Sequence, residues 1–315
     1  MKQKAPNKVL SYDLGGTKVA VAVVTSEGKI LDEIREPVVF EKGKQAVLKQ
    51  LGDLGLSLLK KHPQVKRVGV ASAGPLDAEK GVLLDPTNFA SSEGTWGRVP
   101  LTSILSKRLK REVLLENDAA AAMLAEHWMG AAKKHDNAMI LTLGTGLGTG
   151  VIIGGELLRG GRSVHPEAGH VIIHYNDSSA PCSCGNLGCA EAFLSGRNFA
   201  RRARTRFADA NLSAKDIADL ARKRDPRALA AFEEYAVLMS VALHNYAVIF
   251  APELVAFTGS FADASDLFLK QTTQHLMERL ARRRVGLDLM PKLVVSSLQN
   301  QAGILGGAFV ALHRK

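Results

Sequence analysis

The sequence predicts an α/β protein made of two copies of one plan, two domains flanking a cleft. Three observations carry that prediction. Strand-like and helix-like segments alternate along the chain. A strand, a Gly-Thr turn and a returning strand occur near the N-terminus and again at mid-chain. The 315 residues, at roughly 150 per domain, suffice for two hydrophobic cores. Composition agrees, because 46% hydrophobic and 23% charged residues is the usage of a folded domain.

In the first copy, KVLSYDL (8–14) is apolar and β-branched and reads as a strand, and GGT breaks it. KVAVAVVTSEGKILDEIREPV (18–38) continues as two strands joined by an SEG turn. A helix is predicted over 44–61, then the buried strand RVGVASAG (67–74), an irregular Pro, Gly and Asn segment to about residue 100, and a helix over 101–110. EVLLEN (112–117) is a strand running into the Ala-rich helix DAAAAMLAEHWMG (118–130). The second copy opens with the strand NAMILTL (137–143), the turn GTGLGTG (144–150) and the returning strand and hairpin VIIGGELLRG (151–160). Helices follow at 197–208, 213–223 and 226–250, then the strand LVAFTG (254–259), a helix over 261–283, the strand KLVVSS (292–297) and the terminal helix AGILGGAFVALHRK (302–315). Residues 1–118 plus 303–315 are expected to form a small N-terminal α/β domain, and 119–302 a larger one carrying the cysteines. Without a low-complexity linker, a hinge should couple them.

Several classes of partner are excluded at this level. No run approaches the roughly 20 apolar residues of a membrane span, and a short basic tail leads straight into a strand without a signal-peptide core. Three cysteines within eight residues make no disulfide framework and suit a reducing compartment, so a cytoplasmic protein with no membrane partner is expected. The net charge of +10 would attract anions. Its basic runs, KRLKR (107–111), RRARTR (201–206) and RRR (282–284), lie in helix-like segments with no interleaved aromatics. They read as solvated faces, and no nucleic-acid partner is expected.

Chemistry gathers at three places. DLGGTK (13–18) and LGTGLGTG (143–150) place glycines and threonines where strands reverse, so that backbone N–H groups can approach an anion. Each turn alone is what a tight hairpin needs. Together with a TGS turn (258–260) and Asp13, which would hold Mg²⁺ through water, they point to a polyphosphate. Neither is a Walker loop or a dinucleotide fingerprint, since a strand follows rather than a helix. Asn117 and Asp118 end a strand where a helix begins. One reading is a helix cap; the other is a general base that takes a hydroxyl proton while the oxygen attacks the γ-phosphorus of ATP.

The third place is HPEAGHVIIHYNDSSAPCSCGNLGCAE (165–191). His170, Cys182, Cys184 and Cys189 make a closed tetrahedral set for a structural Zn²⁺, while a Cys-x-Cys redox pair is the competing reading. Such a loop would hold Glu167 and Glu191 rigidly, as acceptors for the hydroxyls of a polyol.

With these pieces together, the sequence resembles the ROK family (repressor, open reading frame, kinase) of sugar kinases and regulators. The likeness runs through DLGGTK, GPLD, PTNFASSEGTWGRVPL, ENDAAAA, LGTGLGTG, PEAGH, CSCGNLGCAE, TGS and AGILGGA. The resemblance implies a duplicated actin-like (ribonuclease H-like) ATPase fold and an ATP-dependent hexose 6-kinase, with glucose as the first substrate. N-acetylglucosamine, N-acetylmannosamine, mannose and fructose are the alternatives. It implies Asp118 as base toward the sugar 6-hydroxyl, with Asn117, Glu167, His170 and Glu191 around the hexose and Gly74 and Asn88 on its other side. ATP would lie between Gly15, Gly16, Thr17 and Lys18 on one lip and Gly144, Thr145 and Gly146 on the other, with Gly259 and Ser260 near the adenosine. A homodimer or homotetramer is also implied. A sugar-sensing repressor of the family would need a DNA-binding domain before the first phosphate motif, where only twelve residues precede Asp13.

Overall fold

Two five-stranded mixed sheets organise the chain, in a computed structural model that describes residues 7–86, 89, 94–161 and 164–314. The first has the order β3-β2-β1-β4-β8, built from β1 (Lys8–Leu14), β2 (Lys18–Thr25), β3 (Ile30–Pro37), β4 (Arg67–Ser72) and β8 (Glu112–Asn117). The second is β11-β10-β9-β12-β13, from β9 (Ala138–Leu143), β10 (Leu147–Ile153), β11 (Glu156–Leu157), β12 (Leu254–Thr258) and β13 (Lys292–Val295). Each is an antiparallel meander of three strands extended by two parallel ones, so the expected duplication is present in topology.

The strand chemistry follows from position in the sheet. Residues 19–24 of β2 are all buried, as a strand covered on both faces requires, and the sequence there is valine and alanine throughout. β3 is an edge, and its Asp32, Glu33, Arg35 and Glu36 leave that edge charged and unattractive to another strand. Around this sheet lie α1 (Gly43–Lys61), α2 (Leu101–Leu109), α3 (Asp118–Met129) and α9 (Ala302–His313). Leu10, Leu51, Leu58, Val70 and Leu115 are fully buried in its core. The second sheet carries α4 (Ala190–Leu194), α5 (Gly196–Ala203), α6 (Ala214–Arg222), α7 (Pro226–Phe250) and α8 (Leu269–Arg279). Its core includes an aromatic cluster of Phe199, Phe232, Tyr235, Phe261 and Phe268.

The chain divides into two units. The first comprises the described residues of Met1–Lys133, Arg159–His165 and Asn300–Lys315; the second is Lys134–Leu158 and Pro166–Gln299. The expected boundary at residue 118 therefore falls inside the first unit. Helix α3 stays there because it packs against α9 so tightly that a Cβ on Gly306 would collide with the Ala121 carbonyl. The short return of Arg159–His165 is anchored by the ion pair of Arg159 with Glu116.

Three local expectations change. The segment to residue 100 contains a small antiparallel sheet of β5 (Leu76–Asp77), β6 (Val82–Leu84) and β7 (Arg98–Val99). Only Gly144–Gly146 of GTGLGTG form the turn, since Leu147 already pairs with Leu143. The helix over 261–283 breaks into a 3-10 stretch (Ser260–Leu267), α8 and a second 3-10 stretch (Ala281–Arg284). Phe261 and Phe268 both turn inward onto Tyr235, at ring distances of 5.3 and 4.8 Å, and the chain changes course between them. Among the described residues no helix is long and apolar enough to cross a membrane.

Candidate active site

In the first unit, parallel pairing lines up the acidic residues. Leu14 pairs with Ser72 and Ser72 with Asn117, so Asp13, Asn117 and Asp118 share the carboxyl edge of the sheet, with β1 and β8 about 10 Å apart at two strand spacings. Asn117 does cap α3: its Oδ1 accepts the N–H groups of Ala119 and Ala120 at 2.9 and 3.1 Å. A Cβ on Gly74 would stand 3.5 Å from the Asn117 Nδ2, so these two residues are neighbours. Asp118 opens the helix half-buried, and its Oδ1 accepts the Ala119 N–H at 2.8 Å.

Asp13 ends β1 against the first turn of α9, where a Cβ on Gly303 would collide with its carboxylate. Part of the residue reaches solvent, but the carboxyl itself is enclosed. Burial, and then the charge of Asp118, push its pKa up to about 6, against a smaller downward pull from Arg35. A carboxyl so placed gains from a cation beside it. In the adjoining β1–β2 turn, the Gly15 N–H donates to the Lys18 carbonyl at 3.1 Å, and Gly16, Thr17 and Lys18 are exposed. Asn88 lies outside the described residues.

Sequence reasoning missed Glu116. It is fully buried beside Asn117; its Oε1 accepts the Asn117 N–H at 3.0 Å, and its other oxygen pairs with Arg159 and lies 3.6 Å from Arg314 Nη1. A carboxylate inside the apolar strand EVLLEN was the available signal.

In the second unit, the PEAGH segment is pinned to β10 and α7. Thr149 Oγ1 donates to the Pro166 carbonyl at 2.7 Å and accepts the Ala168 N–H at 3.1 Å, and the Tyr246 hydroxyl donates to the Ala168 carbonyl at 2.8 Å. Glu167 is exposed on this segment, and His170 closes it half-buried. Gly259 sits in the left-handed region at φ +89°, tight against the backbone of Leu143, and Ser260 follows it into the 3-10 stretch.

His170, Cys182, Cys184 and Cys189 each offer a ligand atom, all within 4.8 Å of one another. The His170 Nδ1 to Cys182 Sγ distance is 3.4 Å, and Cys184 Sγ to Cys189 Sγ is 3.7 Å. These approach the edges, about 3.8 Å between sulfurs, of a tetrahedron with metal–sulfur bonds of about 2.3 Å. Gly185 and Gly188 turn the loop at φ +91° and +77°, and a Cβ on Gly188 would strike the His174 carbonyl. Burial, then the neighbouring thiols, push the Cys189 thiol up to about 12, so three thiolates would coexist here only with a cation among them.

Glu191, in the first turn of α4, is buried with both oxygens engaged. Oε2 accepts the Leu147 N–H at 3.0 Å, and Oε1 accepts the Ser183 hydroxyl at 2.8 Å. Ser183 was also missed from the sequence, because its role depends on a partner eight residues away.

A meander plus two parallel strands, built twice, with acidic residues at the carboxyl edge of the first sheet and glycine turns after β1 and β9, is the actin-like ATPase fold. Within that fold class the chain belongs to the ROK family, whose model matches residues 9–314. It is 33% identical to a glucokinase of Thermotoga maritima, over 98% of each chain. It is 32% identical to an N-acetyl-D-glucosamine kinase of Citrobacter koseri, over 96% of this chain and 98% of that one. A ROK family glucokinase from Streptomyces griseus, solved in complex with glucose and AMPPNP, superposes with a TM-score of 0.81 at 30% identity, covering 96% of this chain and 99% of that one.

Proposed function

We propose that the chain is an ATP-dependent hexose 6-kinase, converting glucose and ATP into glucose 6-phosphate and ADP. The observation that carries the mechanism is Asp118, at the carboxyl edge of the parallel strands of the first sheet and in the first turn of a helix. Asp118 takes the proton of the sugar 6-hydroxyl as that oxygen attacks the γ-phosphorus, and Asn117 fixes the turn on which Asp118 stands. Glu116 holds the Asn117 N–H from the strand side. Asn117, Glu167, His170 and Glu191 serve the hexose, with Gly74 beside Asn117 leaving room for it.

Gly15, Gly16, Thr17 and Lys18, and Gly144, Thr145 and Gly146, serve the phosphates of ATP; Gly259 and Ser260 serve its adenosine. Asp13 would hold Mg²⁺ through water, and its enclosed carboxyl beside Asp118 suits that cation. Bound there, Mg²⁺ would supply charge neutralisation to the phosphates. His170, Cys182, Cys184 and Cys189 would hold Zn²⁺; with four protein ligands it shapes the loop and does no chemistry.

The likeness to the Thermotoga maritima glucokinase supports glucose, and that to the Citrobacter koseri enzyme supports N-acetylglucosamine as the second reading. Coupled measurement of ADP release over a panel of hexoses and amino sugars separates the two. Turnover greatest with glucose is the expected outcome, and no turnover with any sugar would sink the kinase reading. Thiolate ligands suit the reducing cytoplasm, and a homodimer or homotetramer is the expected assembly, checked by light scattering.

A further inference from the structure

The Glu191 carboxylate joins two parts of the second unit that are separate motifs in the sequence. Its Oε2 accepts the Leu147 N–H, at the end of the turn after β9. Its Oε1 accepts the hydroxyl of Ser183, which stands between the ligands Cys182 and Cys184, and lies 3.7 Å from the Cys182 sulfur. Glu191 itself follows Cys189 by two residues, so the metal loop holds both its backbone and one of its oxygens. The turn is shaped to receive it, because a Cβ on Gly146 would stand 2.6 Å from Oε2.

Other contacts brace the same turn from the same side. Gly169, next to the ligand His170, packs on the Leu147 carbonyl where a Cβ would collide. The Gly196 N–H, just past α4, donates to the Gly144 carbonyl at 2.9 Å. A buried carboxylate bonded at both oxygens cannot follow one partner without straining its bond to the other, and bonds to an ionised acceptor are the strong ones.

We propose that Glu191, aimed by Ser183, is a positioning residue that couples the metal loop to the Gly144–Leu147 turn, so that metal occupancy sets nucleotide affinity and nucleotide sets metal affinity. This rests on the reading of that turn as a phosphate site. Coupling of this kind is reciprocal: the factor by which zinc tightens nucleotide binding equals the factor by which nucleotide tightens zinc.

The test uses the zinc-loaded full chain and its Ser183→Ala, Ser183→Thr, Glu191→Gln and Gly146→Ala variants. It reads amide exchange at Leu147, the Kd for AMPPNP, and zinc affinity by chelator competition with and without AMPPNP. Ser183→Ala keeps all four ligands; its Leu147 exchange should quicken and its AMPPNP Kd weaken by about fivefold or more, and Ser183→Thr should restore both. Gly146→Ala pushes on the carboxylate from the opposite side, and zinc should leave it faster although its metal loop is unaltered. In the parent protein AMPPNP should tighten zinc binding. Leu147 exchange unchanged in both Ser183→Ala and Glu191→Gln, or zinc affinity indifferent to bound AMPPNP, would overturn the coupling. Failure of AMPPNP to bind the parent protein at all would instead overturn the phosphate reading, and the nucleotide half of the proposal with it.

Discussion

The turn after β1 and the turn after β9 stand at equivalent points of equivalent sheets, and each closes with a backbone hydrogen bond of its own, the second by the Gly144 N–H to the Gly146 carbonyl at 3.1 Å. Yet the second is held in addition by a carboxylate and backbone from distant segments. In the first, the Gly15 N–H closes onto the Lys18 carbonyl, the Thr17 carbonyl accepts the Val38 N–H at 3.0 Å, and the residues between are exposed. In the second, Glu191, Gly169 and Gly196 hold Leu147 and Gly144 from elsewhere in the unit. What is fixed in the first unit is instead the acidic edge: Asp13 against α9, and Glu116 between Arg159 and Arg314. The tertiary contacts of the first unit hold carboxylates, and those of the second hold a glycine turn.

That division is open to attack, most forcefully at Asp118. Asp118→Asn should keep the fold, since Asn is well suited to a helix start, and lose about 10²- to 10⁴-fold in kcat. ADP release beside circular dichroism measures this; a near-normal rate, with Glu167→Gln as the crippled variant, would move the base to the second unit. Next is the ion pair under the edge. Glu116 is buried, so Glu116→Gln leaves two arginines without their carboxylate and should cost about 3–5 kcal/mol in urea unfolding. Gly303→Ala puts a methyl group into the Asp13 carboxylate and should destabilise by about 1–3 kcal/mol. It should also raise KM for MgATP, which a change confined to the second unit's hexose side would not do.

The smallest effect is in pH. Asp13 has a folded pKa of about 6 against an ordinary 3.8, so the native state holds a proton that the unfolded chain releases. The contribution is complete below the unfolded value and is lost as pH rises through about 6. Because the residue is partly open to solvent, it amounts to about 1–2 kcal/mol. Asp13→Asn, which mimics the protonated form, should therefore flatten the ligand-free stability profile between pH 4 and pH 7 and be the more stable protein at pH 7. An unchanged slope in urea titrations would place the titration elsewhere.

The strands of both sheets were legible because runs such as VAVAVV and AMILTL have one stable use, a covered strand. β5 to β7, of two or three residues each, are too short to show a period. Leu147–Gly150 reads as turn by its glycines but pairs through backbone alone, which any residue supplies. The break before α8 belongs to Phe268, whose inward turn is decided by rings distant in sequence. At the candidate site, the grouping of His170, Cys182, Cys184 and Cys189 could be read because the four lie close together on one short segment. Glu116 and Ser183 could not, since each matters through a partner that only folding brings near.

Helix α9 has a consequence for the order in which the protein is made. It threads among β1, β4 and α3 on its small residues: Ser11 Oγ donates to the Ile304 carbonyl at 2.6 Å, and no Cβ fits between Gly69 and Gly307 or between Gly306 and Ala121. A ribosome delivers those three partners first, then every residue of the second unit, and only then α9. The second unit can thus close during synthesis while the first waits with a seam uncovered along Ser11, Gly69 and Ala121. Asp13 gains its neighbour, and α3 its support, only once α9 has emerged behind the second unit, so the acid edge is completed after the glycine turn of the second unit has already formed its contacts.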